Sequence, residues 1–92
     1  MKRQMKVFFS GTVQGVGFRY AALNVARGHA VTGWVRNRSD GRVEMVAEGT
    51  QEELESFIEN VENTMKGYIS GKEILWDVPT GEWQSFGIAS TL

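Results

Sequence analysis

Along the first part of this chain, apolar and polar positions alternate. Met5, Val7, Phe9 and Val13 interleave with Lys6, Ser10 and Thr12, the period of two expected of a strand with one buried face. Met1 to Gln4 reads as a polar, frayed start, and Phe8 implies that the strand's second face is partly covered as well. The period then lengthens. Phe18, Ala21, Ala22, Val25 and His29 recur at helical spacing, which predicts a helix from Phe18 to His29 with Arg19, Asn24 and Arg27 on its other faces. Val31 to Arg36 and Arg42 to Glu48 are β-branched or aromatic runs flanking Asn37-Arg38-Ser39-Asp40-Gly41, and the Asp-Gly pair predicts a hairpin. Thr50 and Glu53 have the spacing of a capping box ahead of the stripe Leu54, Phe57, Ile58, Val61 and Met65. A second helix should therefore run from Gln51 to Lys66 and stop at Gly67. Gly71 to Val78 and Trp83 to Ser90 read as strands joined by a Pro79-Thr80-Gly81 turn.

The order is βαββαβ with an extra terminal piece. It predicts an α+β, ferredoxin-like sandwich: an antiparallel sheet with both helices on one face. At 92 residues the chain should form one domain spanning 1–92. Hydrophobic residues at 41% and charged residues at 23% are ordinary for a soluble globular protein. A net charge of −1 offers no global attraction to nucleic acid or to an anionic membrane, so any anion site must be local. With no cysteine there is no disulfide, thiolate metal site or Cys nucleophile, and with His29 as the lone histidine a triad or a zinc site has little to draw on. The N-terminal apolar run is too short for a signal or a membrane span, which leaves the cytoplasm as the default location.

Between the first strand and the first helix lies Gly11-Thr12-Val13-Gln14-Gly15-Val16-Gly17-Phe18-Arg19. Glycines at a strand-to-helix junction let the backbone turn several N–H groups inward, and the helix adds the partial positive charge of its N-terminus. Such a loop can hold a phosphate, with Arg19 clasping it from the side; it can also be no more than a tight turn. The pattern fits neither a P-loop nor a dinucleotide fingerprint. In this topology the loop should come near the end of the second strand, where Asn37 sits. Two roles are open for Asn37: serving its own backbone in a left-handed or turn conformation, or holding a water in line with a bound phosphorus atom. His29 reads as a capping or half-buried group, and the tryptophans Trp34, Trp76 and Trp83 as core or sheet-face residues. Arg36 and Arg38 read as a solvated turn, with recruitment of an anionic substrate as the alternative.

Gly11-x-Val13-Gln14-Gly15-Val16-Gly17-Phe18-Arg19, followed by Gly33-Trp34-Val35-Arg36-Asn37 and Asp40-Gly41-x-Val43-Glu44, resembles the acylphosphatases, as does the closing stretch from Thr80 to Ile88. The resemblance covers the whole chain. It implies hydrolysis of acyl phosphates to a carboxylate and inorganic phosphate with no metal or cofactor; a monomer is expected. By motif position Arg19 would bind the phosphate and Asn37 would position the attacking water, while the backbone amides of Gln14, Gly15, Val16, Gly17 and Phe18 would form the cradle. The chain departs from the family pattern at Gly28-His29-Ala30, which suggests a different end to the first helix, and at Gly67 to Gly71 after the second. The partner would be a small acyl phosphate, with no nucleic acid and no membrane involved.

Two other readings share the fold. A binding module for single-stranded RNA would want aromatics on the central strands amid Lys and Arg, which Arg42-Val43-Glu44-Met45-Val46 lacks; a small-ligand regulatory domain is the other form of that reading. A related domain that binds a phosphorylated carbamoyl or acyl group inside a larger maturation enzyme is the third.

Overall fold

A computed structural model describes Met1–Leu92. Its elements are β1 (Lys2–Gly11), α1 (Phe18–Ala26), β2 (Thr32–Asn37), β3 (Val43–Thr50), α2 (Gln51–Thr64), β4 (Ile69–Asp77) and β5 (Phe86–Ile88). They form one five-stranded sheet in the order β4-β1-β3-β2-β5. β1 pairs antiparallel with β3 and β4, and β2 antiparallel with β3. β5 lies parallel to β2, so the sheet is mixed where a purely antiparallel one is expected from the element order.

The alternation in β1 decides which face is buried. Met5, Val7 and Phe9 are fully buried beside Val35, Val43, Met45 and Ala47 of the neighbouring strands, and both helices cover this face. From α1 come Phe18, Ala22 and Ala26; from α2 come Leu54, Phe57, Ile58 and Val61. Seventeen buried residues make one continuous core. Gly33 in β2 shows how tightly β2 and β3 are set: its φ is 137°, and a Cβ there would overlap the carbonyl of Val46.

Element ends depart from the pattern for identifiable reasons. β1 starts at Lys2, not Met5, because Lys2 to Gln4 pair with Glu48 to Thr50 of β3 regardless of their polar side chains, and it ends at Gly11, short of Val13. α1 ends at Ala26, three residues before His29, in a turn where Gly28 and His29 donate to the carbonyls of Val25 and Ala26. His29 then turns to α2, with Nδ1 3.2 Å from Glu53 Oε1 and Nε2 2.9 Å from Asn60 Nδ2. The capping box is half formed. Thr50 Oγ1 accepts from the Glu53 N–H, but the Glu53 carboxylate accepts from the Ala30 N–H and faces His29 instead of reaching back to Thr50. α2 stops at Thr64, before Lys66, with Gly67 at φ 94° just beyond. β4 begins two residues early, at Ile69, and ends at Asp77. β5 is only Phe86–Ile88, since most of the residues expected in it belong to connecting or terminal segments.

The other face of the sheet carries two buried carboxylates, Glu44 and Glu48. Arg36 and Arg38 donate to Glu44 Oε1 at 2.9 and 3.1 Å, and the Arg38 and Arg42 guanidiniums lie over the Phe8 ring, which accounts for the cover that Phe8 implied. Glu48 holds the connection between β4 and β5. It accepts from Gln4 Nε2, from the Thr80 N–H and hydroxyl, and from the Gly81 N–H, all within 3.0 Å. Burial alone would raise its pKa; the hydrogen bonds from the Thr80 backbone, Gln4, the Gly81 backbone and the Thr80 hydroxyl outweigh it and leave the carboxyl below its ordinary range.

A carboxyl whose folded pKa is depressed contributes stability above its unfolded value, near 4.5, and loses it as pH falls through the folded value. Glu48→Gln should therefore lower unfolding free energy by about 1–2 kcal/mol at neutral pH. That deficit should shrink as the pH is taken below 4 (about the unfolded value of an ordinary carboxyl). Urea denaturation of both proteins across that range checks it, and a deficit independent of pH would count against the charged role of Glu48.

Candidate active site

The connection from β1 to α1 is built on glycines that only glycine suits. Gly15 and Gly17 have φ of 76° and 78°, and a Cβ at either would meet nothing within 4 Å, so the restriction lies in the backbone and the space beyond is open. Gly17 is also the N-cap of α1. It brings no side chain to the exposed amides, and the first turn of α1 contains no acidic residue. α2 is the contrast, with Thr50 capping and Glu52 and Glu53 in its first turn. None of the amide N–H groups of Gln14, Gly15, Val16, Gly17 and Phe18 donates to a protein acceptor. An N-terminus left in this state is suited to an anion.

The loop is anchored by a side chain. Gln14 Nε2 donates to the carbonyls of Arg38 at 2.7 Å and Arg42 at 2.9 Å, spanning the β2–β3 turn. Val13 and Phe18, buried on either side of the loop, fix its two ends, and the Phe18 ring lies 4.9 Å from that of Phe9. The sequence reading assigned Gln14 only a backbone amide; its carboxamide tether lacks a sequence signal beyond the presence of a glutamine in a loop.

Arg19 is half-buried in the first turn of α1. It is the one arginine in the chain with no hydrogen bond, ion pair or aromatic partner. Arg3 engages Gln51 and Trp76, Arg27 engages Asn24, Arg36 and Arg38 share Glu44, and Arg42 is paired with Asp40. The Arg42 side chain, its backbone N–H and then Arg38 hold the Asp40 carboxyl down to about 2. These ion pairs commit the arginines of the hairpin to structure: Arg36, within β2, and Arg38 are held by the buried Glu44, so they form an ion-pair cluster on the sheet where the sequence suggested a solvated turn. Trp34 stacks under Arg36 on the same face.

Asn37 ends β2 opposite Val43. By register its side chain shares the helix-covered face with Val35, Val43 and Phe9. Because β1 and β2 both pair antiparallel with β3, they run parallel to each other, and α1 between them runs back. The N-terminus of α1 and the C-terminal end of β2 thus lie at the same end of the sheet. Asn37 does not have a positive φ, and its carboxamide makes no hydrogen bond, so neither feature of a backbone-serving asparagine is present. Its backbone carbonyl accepts from the Leu92 N–H at 3.1 Å. His29 is engaged elsewhere, against Glu53, Asn60 and the ring of Phe57.

This end of the sheet therefore carries undonated amides at the start of α1, an unpaired guanidinium in its first turn and, at the end of β2, an uncommitted carboxamide. No group of three or more His, Cys, Asp or Glu is placed to hold a metal ion. No helix is long and apolar enough to cross a membrane.

Comparison with known proteins agrees with the resemblance seen in the motifs. The family model described as acylphosphatase matches residues 5–88. The acylphosphatase of Methanospirillum hungatei is 47% identical over 74 residues, 80% of each chain, and that of a Roseiflexus species 42% identical over 83 residues, 89% of each. The crystal structure of the Bacillus subtilis acylphosphatase superposes with a TM-score of 0.87 at 36% identity, covering 95% of this chain and 98% of that one.

Removing the tether isolates its contribution. Gln14→Ala should cost about 1–2 kcal/mol of stability, since it removes two hydrogen bonds to the hairpin carbonyls. It should also lower the backbone order parameters selectively from Gly15 to Phe18. Chemical denaturation and backbone ¹⁵N relaxation read the two effects; order parameters unchanged from Gly15 to Phe18 would deny the loop its anchor.

Proposed function

Since this chain belongs to the acylphosphatase family and so hydrolyses the carboxyl–phosphate bond of acyl phosphates, we propose that the loop from Gln14 to Phe18, Arg19 and Asn37 carry out that reaction. The observation that carries the assignment is the undonated row of amides at an uncapped helix start, beside the one arginine without a partner.

In this reading the phosphoryl oxygens accept from the N–H groups of Gln14, Gly15, Val16, Gly17 and Phe18, and the Arg19 guanidinium neutralises the remaining charge. The Asn37 carboxamide accepts a hydrogen bond from a water and holds its oxygen in line with phosphorus. Water adds to phosphorus as the bond to the acyl oxygen breaks. The bond's electron pair leaves on the carboxylate, and both protons of the water end on the released dihydrogen phosphate. A carboxylate is the anion of a weak acid, so the leaving group needs no proton, and a loose phosphoryl-transfer transition state asks little of a general base. Histidine, cysteine and metal are not required, and the enzyme is metal-independent. It acts as a single domain over 1–92, as a cytoplasmic monomer, on a small-molecule substrate.

Arg19→Ala should abolish turnover of benzoyl phosphate and inhibition by inorganic phosphate together, each by about a thousandfold or more. Asn37→Ala should lower kcat by about a hundredfold or more while the phosphate inhibition constant stays within about threefold, because the carboxamide acts on water. Loss of benzoyl phosphate followed in chelator, with and without added inorganic phosphate and with a phosphate monoester as control, measures both quantities in both variants. Equal loss of turnover and phosphate inhibition in Asn37→Ala would refute the division of roles.

A further inference from the structure

With no hydrogen bond of its own, the Asn37 carboxamide follows, within its rotamer, the backbone that carries it. One edge of that backbone is held by β3, with Asn37 opposite Val43 and the Arg38 N–H on the Arg42 carbonyl at 2.9 Å. On the other edge β5 ends at Ile88, opposite Val35 and short of Asn37. The segment after β5 closes that gap. The Ala89 N–H donates to the Val35 carbonyl at 2.9 Å, the Leu92 N–H donates to the Asn37 carbonyl at 3.1 Å, and the Leu92 backbone oxygen accepts from the Ser39 N–H at 2.8 Å.

The spacing of these bonds is irregular. In an evenly spaced parallel ladder the donor to Asn37 would be Thr91; it is Leu92, so the segment contains one extra residue. The N–H groups of Ser90 and Thr91 donate to no protein acceptor, as in a bulge. The extra residue brings Leu92 past the end of β2 to Ser39, in the turn. There it meets the tether of the glycine loop, because the peptide group between Arg38 and Ser39 is held at both ends. Its carbonyl accepts from Gln14 Nε2 at 2.7 Å, and its N–H donates to Leu92. The Leu92 side chain is 55% exposed, so what the residue contributes here lies in its backbone.

We propose that Leu92 is a positioning residue for the hydrolysis: its backbone N–H and oxygen, bridging Asn37 and Ser39, fix the end of β2 so that the Asn37 carboxamide holds its water in line with phosphorus. The proposal rests on the assignment of Asn37 to the attacking water. In-line attack is sensitive to small displacements, since a misplacement of about 1 Å caused by a distant change can cost about a hundredfold in rate. A proline at position 92 has no N–H and leaves the Asn37 carbonyl without that donor, while Arg19 and the loop amides are untouched.

The test is a double-mutant cycle on the whole chain. Loss of benzoyl phosphate is followed with and without inorganic phosphate in wild type, Leu92→Pro, Leu92→Ala, Asn37→Ala and the combination of Asn37→Ala with Leu92→Pro, each checked for folding by urea denaturation. Leu92→Pro should lower kcat by about tenfold and leave the phosphate inhibition constant within about threefold. Leu92→Ala keeps the N–H and should hold kcat within about twofold of wild type. In the Asn37→Ala background, Leu92→Pro should cost no more than about twofold further, because the group through which it acts is gone. Wild-type kcat in Leu92→Pro, phosphate inhibition weakened as much as turnover, an equal loss in Leu92→Ala, or the full loss repeated in the Asn37→Ala background would each overturn the positioning role. Should Leu92→Pro not fold, deletion of Leu92 removes the same bonds and takes its place in the cycle. Wild-type kcat in Asn37→Ala would instead overturn the assignment of Asn37, and the proposal with it.

Discussion

Two hydrogen bonds from one glutamine tie the two halves of this structure's working end together. Without Gln14 Nε2 on the carbonyls of Arg38 and Arg42, the glycine loop would be held only by the apolar packing of Val13, Val16 and Phe18. Glycine at positive φ has the largest conformational entropy to lose, so a loop built on Gly15 and Gly17 depends on such a restraint to keep its amides convergent. The tether ends on the turn that directly follows Asn37. A displacement of the hairpin would therefore carry the loop with it, and the amides and the carboxamide would keep their relative positions.

That turn is itself held by charge. Arg36 and Arg38 converge on the buried Glu44, while Arg42 and Arg38 flank Asp40, and both guanidiniums nearest the sheet lie over Phe8. These arginines are spent on structure. An ion pair at Asp40 is exposed and worth little by itself, but removing an arginine from Glu44 would leave a buried carboxylate under-satisfied. The separation of Arg19 from this network follows from its position: it sits on α1, across the sheet from the carboxylates, with no acidic residue in its own turn.

Much of this could be read from the chain because each feature is local. The alternation of Met5, Val7 and Phe9, the stripe from Leu54 to Met65 and the Asp40-Gly41 turn each depend on a few adjacent residues, and the core forms from them. Arg19 and the loop glycines were visible for the same reason. What escaped depends on distant partners. Lys2 to Gln4 look like a frayed end until β3 supplies hydrogen bonds, and nothing in the stretch from Trp83 to Ser90 says that only Phe86–Ile88 pair, or that they run parallel to β2. Helical spacing carried His29 into α1, whereas its two contacts on α2 and the break at Gly28 take it out. The Gln14 tether and the Glu48 clamp were illegible for a related reason: a polar side chain in a loop or on a sheet face has many possible partners, and only the fold selects one.

The difference between the two helix starts is the closing link between stability and chemistry. α2 spends its N-terminus on Thr50 and on acidic side chains, as a helix without a ligand does. α1 has the same four orphan donors and leaves them without a side-chain partner, although a cap is commonly worth about 1 kcal/mol. A serine or aspartate at position 17 would compete for the same amides and could not easily take the left-handed backbone that turns them outward. The loss in stability is thus tied to the same atoms as the proposed anion site. An acyl phosphate supplies the missing negative charge when it binds, and the strongest interaction forms where the folded protein alone is least satisfied.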